Sequence, residues 1–309
     1  VRYAPVSLLR LIWQRRPTVV FSMMGHLNLM LALLKPLLPG GVRLFARETN
    51  ALSAMLEAEP GGEMWRLGYR WLYRRLDNIV SQSESNALEL VRDFHVAPGR
   101  VRVIRNPLDI ERIGQLAAEP VVSPATVGRP GRKRLLAVGR LGEEKRFAAL
   151  IRVFSSLTKS APDWELVILG EGPERDELEE YVRRLGLEEA VFLPGHVGNV
   201  SDWFRSADLY VLTSRFEGFP NALLEAMAHG LPAVAVDCLT GPRDIIRPEV
   251  DGLLVPPNDD GALTTALHRL MTDPVTRAAL AARALEARVR FSLDSVAASW
   301  ERLFEGVAK

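Results

Sequence analysis

Glu217 and Glu225 are separated by seven residues in the run EGFPNALLEAMAHGLPAV. A strand ending at DLYVLTS runs into a Gly-Phe-Pro turn, a helix from about Pro220 to His229, and a second strand, PAVAV. Pro220 suits a first helical position, where a missing N–H costs nothing. The turn then brings the backbone N–H groups of Gly218, Phe219 and Asn221 or Ala222 to one point, where the helix dipole also favours an anion. A diphosphate is the natural occupant. Glu217 precedes that point and Glu225 lies about one and a half turns into the helix, too far apart to share one proton as a close dyad does. Two separate hydroxyl-accepting tasks fit better. The competing reading makes Glu217 a loose cap, Glu225 a solvated helix residue and FPNALL core.

Further groups follow other strands. RLLAVG ends in GRLGEEKR, which puts Arg140 and Lys145 at the same sheet edge as Gly218 if the strands are parallel. A guanidinium fork grips phosphate oxygens in pairs and an ammonium adds a point charge, so the two cations suit two phosphates; otherwise they are solvated loop residues. LGEGPER offers flexible glycines, Gly172 among them, without the GxGxxG spacing of a dinucleotide fold. After VFLPGHV, the backbone around Leu193 and Val197 could face a planar base or form a plain turn. Gly241-Pro242 could wall a sugar pocket. His26 follows TVVFSMMG, and Arg47 and Glu48 follow VRLFA, each placed for a ligand contact beside the simpler reading of a structural residue.

These groups need a parallel sheet to position them. Near-continuous Val/Ile/Leu strands alternate with amphipathic helices throughout, the pattern of an α/β protein whose ligands sit outside the carboxyl ends of the strands. Residues 1–118 form one alternating domain, 119–131 (rich in Pro, Gly and Ser) a linker, and 132–290 a second domain, with 291–309 a helix expected to pack back on the first. Residues 63–76, EMWRLGYRWLYRRL, place Trp65, Tyr69, Leu72 and Leu76 on one helical face beside Arg66, Arg70 and Arg74. That mixture fits an interfacial helix on an anionic membrane surface, or a core stripe with a solvated basic flank.

The chain has 309 residues, 48% hydrophobic and 25% charged, as in an ordinary globular protein of two domains. Residues 1–130 carry 17 Lys and Arg against 11 Asp and Glu, and the remainder 22 against 27. The basic first half could meet nucleic acid, an anionic membrane surface or a phosphorylated acceptor, although its excess of charge is modest, and no nucleic-acid partner is expected. One cysteine, Cys238, excludes an intrachain disulfide and suggests a reducing compartment, hence the cytoplasm. No apolar run reaches 18 residues, since LNLMLALLKPLL is broken by Lys35 and Pro36. Asp259-Asp260 reads as a helix cap, and no His/Cys spacing suits a metal.

The runs VGRLGEEKRF, ILGEGPERDEL, VFLPGHVGNVSDWFRSADLYVLTSRFEGFPNALLEAMAHGLPAVA, GPRDII and DGLLVPPND closely resemble the retaining glycosyltransferases of family 4. Collinear matches cover residues 134–260, and SQSESNALELV with VRVIRNPLDI matches the end of that family's first domain. The EGFPNALLEAMA and GPRDII variants resemble bacterial members that build lipid-linked oligosaccharide, lipopolysaccharide or capsule. The resemblance implies a GT-B architecture, two Rossmann-like domains facing a cleft, and a donor sugar carried on a nucleotide diphosphate, UDP by preference. It gives Glu217 the donor-sugar hydroxyls, Glu225 the ribose hydroxyls, Arg140 and Lys145 with the amides of Gly218 to Asn221 the leaving diphosphate, and His26 a place against the donor sugar. It implies a lipid-linked or polysaccharide acceptor, front-face attack with retention and no protein nucleophile, no metal and no other cofactor, and a cytoplasmic enzyme peripheral to the inner face of the cell membrane. Family members begin with a strand and Gly-rich loop that have no counterpart here. That departure implies an incomplete first domain with an open sheet edge, and weighs against activity of the chain as given. The alternatives are a UDP-sugar epimerase of the same architecture and a noncatalytic sugar-nucleotide-binding subunit.

Overall fold

The computed structural model describes residues 4–49, 51–58, 61–118, 128 and 131–308. Contacts divide the chain into two compact units, Val1–Asn106 with Val296–Lys309, and Pro107–Ser295.

The first unit runs α1 (Ala4–Arg15), β1 (Val19–Ser22), α2 (Gly25–Leu34), β2 (Arg43–Glu48), α3 (Leu52–Ala58), α4 (Gly62–Leu72), β3 (Asn78–Ser81), α5 (Glu84–Arg92) and β4 (Val101–Val103). Its four strands pair in parallel in the order β1-β2-β3-β4. Ser83 starts α5 by accepting a hydrogen bond from the Asn86 amide, a common way to satisfy an orphan helix donor.

The second unit runs α6 (Ile110–Ala118), β5 (Lys133–Val138), α7 (Phe147–Leu157), β6 (Trp164–Leu169), α8 (Arg175–Arg184), β7 (Val191–Gly195), α9 (Val200–Ser206), β8 (Leu209–Leu212), α10 (Asn221–Ala228), β9 (Ala233–Val236), α11 (Pro242–Ile245), β10 (Gly252–Val255), α12 (Asp260–Thr272), α13 (Pro274–Ala284) and α14 (Ala287–Arg290). The last helix, α15 (Leu293–Ala308), crosses back to the first unit. Six parallel strands take the order β10-β9-β8-β5-β6-β7.

The continuous apolar strands have a direct explanation. Successive side chains leave opposite faces of a strand. Leu135, Ala137, Leu166, Ile168, Leu209 and Val211 enter one core with Phe147, Leu150, Leu178 and Leu267, while Leu136, Val167, Leu169, Tyr210 and Leu212 enter another with Phe204, Leu223 and Leu224. Helices cover both faces, so strand positions on either face are apolar or, as at Arg134 and Glu165, charged and paired. Asp259 caps α12 through the Ala262 amide, as its sequence context suggested. Asp273 caps α13 through the amides of Val275 and Thr276, and Pro274 takes the first helical position there, so the proline starts a helix where it ends the previous pattern.

Three expectations need correction. The division between units falls at Asn106–Pro107, while most of the 119–131 linker lies outside the described residues. Leu108 and Ile113 belong to the second unit's core and the Leu108 amide bonds the Phe291 carbonyl at 2.7 Å, which draws α6 into that unit. Residues from Val296 onward join the first unit: Trp300 meets Phe21 edge-on and Phe304 stacks on Phe45. Helix α10 begins at Asn221, with Pro220 in the cap position. Within 63–76, Tyr69, Tyr73 and Leu76 are core residues at 4%, 0% and 1% exposure. Arg66 reaches Glu57, Glu63 and Ser53, and Arg70 donates to the Asp93 carbonyl at 2.8 Å, so the stripe read as facing lipid turns inward at Tyr69 and Leu76 while Trp65 stays half-exposed.

One ion pair is sealed in the second unit. Arg134 donates through Nε and Nη2 to Glu165 Oε1 at 2.8 and 2.7 Å, and through Nη1 to Ser206 at 2.8 Å, with its guanidinium over the Trp203 ring. Glu165 is 1% exposed. Removing one partner leaves a buried charge uncompensated, so Glu165→Ala is expected to destabilise the second unit by about 3–5 kcal/mol. Urea unfolding checks this; a midpoint unchanged from the native chain would refute it.

Candidate active site

The loops leaving the carboxyl ends of four neighbouring strands, β9, β8, β5 and β6, meet at one place. They approach too closely for side chains at two glycines. A Cβ on Gly170, whose φ is +139°, would lie 1.9 Å from the Gly139 carbonyl oxygen, and one on Gly172 would lie 2.2 Å from that of Leu141. The Leu141 amide bonds the Glu171 carbonyl and the Glu174 amide bonds the Leu141 carbonyl. Gly172 therefore works as a point of backbone contact that sets the loop carrying Arg140 and Lys145.

Lys145 Nζ stands 2.5 Å from Glu217 Oε1, although 72 positions separate them. Both side chains are largely buried, at 18% and 12% exposure. Three buried hydroxyls hold the pair. Ser214 donates to Glu217 Oε1 at 2.6 Å, Thr213 donates to the Lys145 carbonyl at 2.7 Å, and Thr240 donates to the Glu217 carbonyl. The Arg215 amide adds a bond to the Glu144 carbonyl at 2.8 Å. Sequence reading passed over these hydroxyls, although LTS and CLT follow strands and so met the rule that picked out their neighbours. Arg140 sits on the same loop as Lys145, exposed, with no ion pair among the described residues.

Just beyond Glu217, Gly218 is half-buried while Phe219 and Pro220 are buried. Phe219 packs against Phe291 and Pro220 against Gly241, where a Cβ would lie 2.5 Å from the proline ring. Their contribution to a ligand is thus backbone. Asn221 is exposed at the start of α10, and the Leu224 amide makes the first helical bond, to Pro220, leaving the amides of Ala222 and Leu223 without intrahelical acceptors. Glu225 is half-buried one turn on, and burial raises its carboxyl above the ordinary value. Beneath lies Tyr210, fully buried, its phenol pushed up first by burial and then by the charges of Glu217 and Glu225. Burial and Glu217 also raise the Cys238 thiol to about 12, so it stays protonated and unreactive.

The other expected donor contacts lie on further elements. Leu193 lies within β7, where its carbonyl accepts from Arg175 Nη2 at 2.9 Å and its side chain packs on the core; Val197 packs on the opposite core. His26 belongs to the first unit, exposed in the first turn of α2. There it lines a pocket of about 410 Å³ with Met23, Met24, Glu48, Trp65 and Tyr69. Glu48, 2% exposed, accepts from Tyr73 at 2.6 Å, and burial with the Glu48 charge raises Tyr69 to about 12. Among the described residues no three His, Cys, Asp or Glu gather to hold a metal, and no helix is long and apolar enough to cross a membrane.

Similarity to known proteins adds to this geometry. Residues 124–287 match the family model described as Glycosyl transferases group 1. The chain is 37% identical over 202 residues to an exopolysaccharide phosphotransferase of Streptomyces coelicolor, covering 63% of this chain and 21% of that protein. It is 34% identical over 208 residues to the N-acetylgalactosamine-N,N'-diacetylbacillosaminyl-diphospho-undecaprenol 4-alpha-N-acetylgalactosaminyltransferase of Campylobacter jejuni, covering 67% of this chain and 54% of that enzyme. The chain thus spans about half or less of the length of these relatives. Anabaena HepE, solved in complex with UDP, superposes with a TM-score of 0.84 at 18% identity over 98% of this chain and 82% of its own. The family match covers more than half the sequence and both parallel sheets have their counterparts in that fold, so the chain belongs to the glycosyl transferases group 1 family and has the GT-B fold of two Rossmann-like domains.

Proposed function

We propose that this protein transfers a sugar from a nucleotide-diphosphate donor, UDP-linked, to a lipid-linked or polysaccharide acceptor in cell-surface glycan synthesis, with retention of configuration and without a metal. The observation that carries the reading is the Lys145–Glu217 pair held at the N-terminal end of α10 by hydroxyls from two loops.

In this reading the diphosphate competes with Glu217 for Lys145. The ammonium turns to phosphate oxygens, the amides at the start of α10 take others, and Arg140, exposed on the same loop, closes on the remainder. Glu217, released from Lys145 and still held by Ser214, accepts from hydroxyls of the donor sugar. Glu225, with no partner among the described residues, accepts from the ribose hydroxyls. The bond from the anomeric carbon to the β-phosphate oxygen breaks as the bond to the acceptor oxygen forms on the same face. The acceptor's proton passes to the leaving phosphate oxygen, so no protein nucleophile is assigned. Charge gathers on the diphosphate as that bond lengthens, and fixed cations and amides stabilise it there more than in the ground state. In the first unit, the pocket of His26, Glu48 and half-exposed Trp65 suits a sugar ring, with an apolar wall for its C–H face and polar groups for its hydroxyls. A relative named as an exopolysaccharide phosphotransferase and one named for a diphospho-undecaprenol substrate support the acceptor class.

UDP release from UDP-sugars with acceptor present tests the assignment. Lys145→Ala and Glu217→Gln are each expected to lower kcat/KM by at least roughly 100-fold, the scale of one lost charge-stabilising group; unchanged turnover in both would overturn it. Glu225→Ala is expected to weaken UDP about 10- to 100-fold by calorimetry, the worth of hydrogen bonds to a charged group. Glu225 also yields a pH test. Its folded carboxyl is raised above 4.5, so its contribution to stability is full below 4.5 and is lost as pH rises through the raised value. Glu225→Gln should therefore unfold later than the native chain at neutral pH, with the difference shrinking on acidification. A difference that grows on acidification would contradict the buried charge.

A further inference from the structure

The last four carbonyls of α10 all have donors within the second unit. The Leu231 amide bonds the Ala226 carbonyl at 3.0 Å and the Gly230 amide bonds the Met227 carbonyl at 2.9 Å, with Gly230 at a φ of +84°, the left-handed turn that commonly ends a helix. Arg288 in α14 donates through Nε to the Ala228 carbonyl at 2.7 Å. His229 grips the Glu225 carbonyl twice, through its amide at 3.0 Å and its ring Nδ1 at 2.8 Å.

A carbonyl can only accept, so Nδ1 must carry the ring hydrogen. Burial lowers the pKa of the ring below the ordinary histidine value, so at neutral pH the ring is uncharged and Nε2 is left bare as an acceptor. Ser201, 5% exposed in the first turn of α9, meets that nitrogen at 2.6 Å, its hydroxyl donating. Phe204, about one turn further along α9, packs on the ring with centroids 5.3 Å apart. Ser201 is too enclosed to meet a substrate, so the pair is not a nucleophile with its base. The imidazole is fixed at both nitrogens and on one face, and it bridges a neighbouring helix to the peptide of Glu225.

We propose that His229 is a positioning residue for Glu225, tying the peptide that follows it to α9 so that the carboxylate is set before a nucleotide arrives. The inference rests on the ribose role given above to Glu225. The two ends of α10 are held separately. At the amino end Phe219 packs on Phe291, Pro220 lies against Gly241 and Thr240 bonds the Glu217 carbonyl, whereas Ser201, His229 and Arg288 act at the other end. Loss of the histidine ring therefore loosens the ribose contact and spares the diphosphate contact.

Calorimetry of the whole chain with UDP and with pyrophosphate tests this. His229→Ala is expected to weaken UDP roughly 3- to 10-fold, the scale of one lost hydrogen bond, and to leave pyrophosphate within about twofold of the native chain. In turnover the donor KM should rise by the same factor with kcat nearly unchanged, as for a contact made equally in ground and transition states. His229→Asn keeps a side-chain donor where Nδ1 stood and restores none of the ring's packing, so it should return UDP affinity to within about twofold of the native value. Ser201→Ala, a milder change that removes only the anchor at Nε2, should weaken UDP in the same direction by a smaller factor. On a Glu225→Ala background His229→Ala should have no further effect on UDP. Nitrogen NMR should show the His229 ring protonated at Nδ1 at neutral pH. Equal weakening of UDP and pyrophosphate, equal weakening by the Ala and Asn variants, unchanged UDP affinity in His229→Ala, or a ring protonated at Nε2 alone would each overturn the inference and leave the role of Glu225 standing. Full UDP affinity in Glu225→Ala would overturn the ribose role and this inference with it.

Discussion

An ammonium and a carboxylate set 2.5 Å apart on loops 72 positions distant in sequence constrain much of the second unit. Both groups are mostly withdrawn from water, which is tolerable only when each is paired and further hydrogen-bonded. Thr213, Ser214 and Thr240 supply those bonds, so three loops must stay in register with one another. Register at this end of the sheet is in turn set by strands whose two faces are both sealed by helices. A slip of one residue in β8 would exchange Tyr210 and Val211 between cores and carry Thr213 away from Lys145.

The approach of the loops has its own steric condition. Gly170 and Gly172 let backbone lie against backbone, and Gly241 lets the loop after β9 lie against Pro220. These glycines need not touch ligand to matter. They place the groups proposed to do so, and Gly172 is required by backbone packing whatever its part in ligand contact.

Much of this was legible because burial on both faces writes itself as continuous Val, Ile and Leu, and because caps such as Asp259 use local chemistry. The EGFPN turn was legible for the same reason, as strand, turn and helix are each short-range signals. What sequence could not give was which of two apolar sides of α4 faces inward. Periodicity finds the stripes of Tyr69 and Leu76 and of Met64, Leu67 and Trp71 equally well; only the partners decide, and Glu48 receiving the Tyr73 hydroxyl fixes the inner side. The boundary between units was misplaced on similar grounds. Pro and Gly content marks a flexible stretch at 119–131, but contact is what defines a unit, and Leu108 and Ile113 make theirs with the core that follows.

The resting pair also bears on how binding energy is used. In the proposed reaction Lys145 exchanges Glu217 for the donor's diphosphate, and because that cost is constant it lowers affinity for substrate and transition state alike. The rate advantage in that reading comes from the charge that grows on the phosphate as the glycosidic bond lengthens, which any fixed cation there feels more strongly than the ground-state charge. Ser214 and Thr240 hold Glu217 independently of the lysine, so on the same reading it stays in place for the sugar after the exchange. The internal pair thus serves to keep both side chains positioned before the donor arrives.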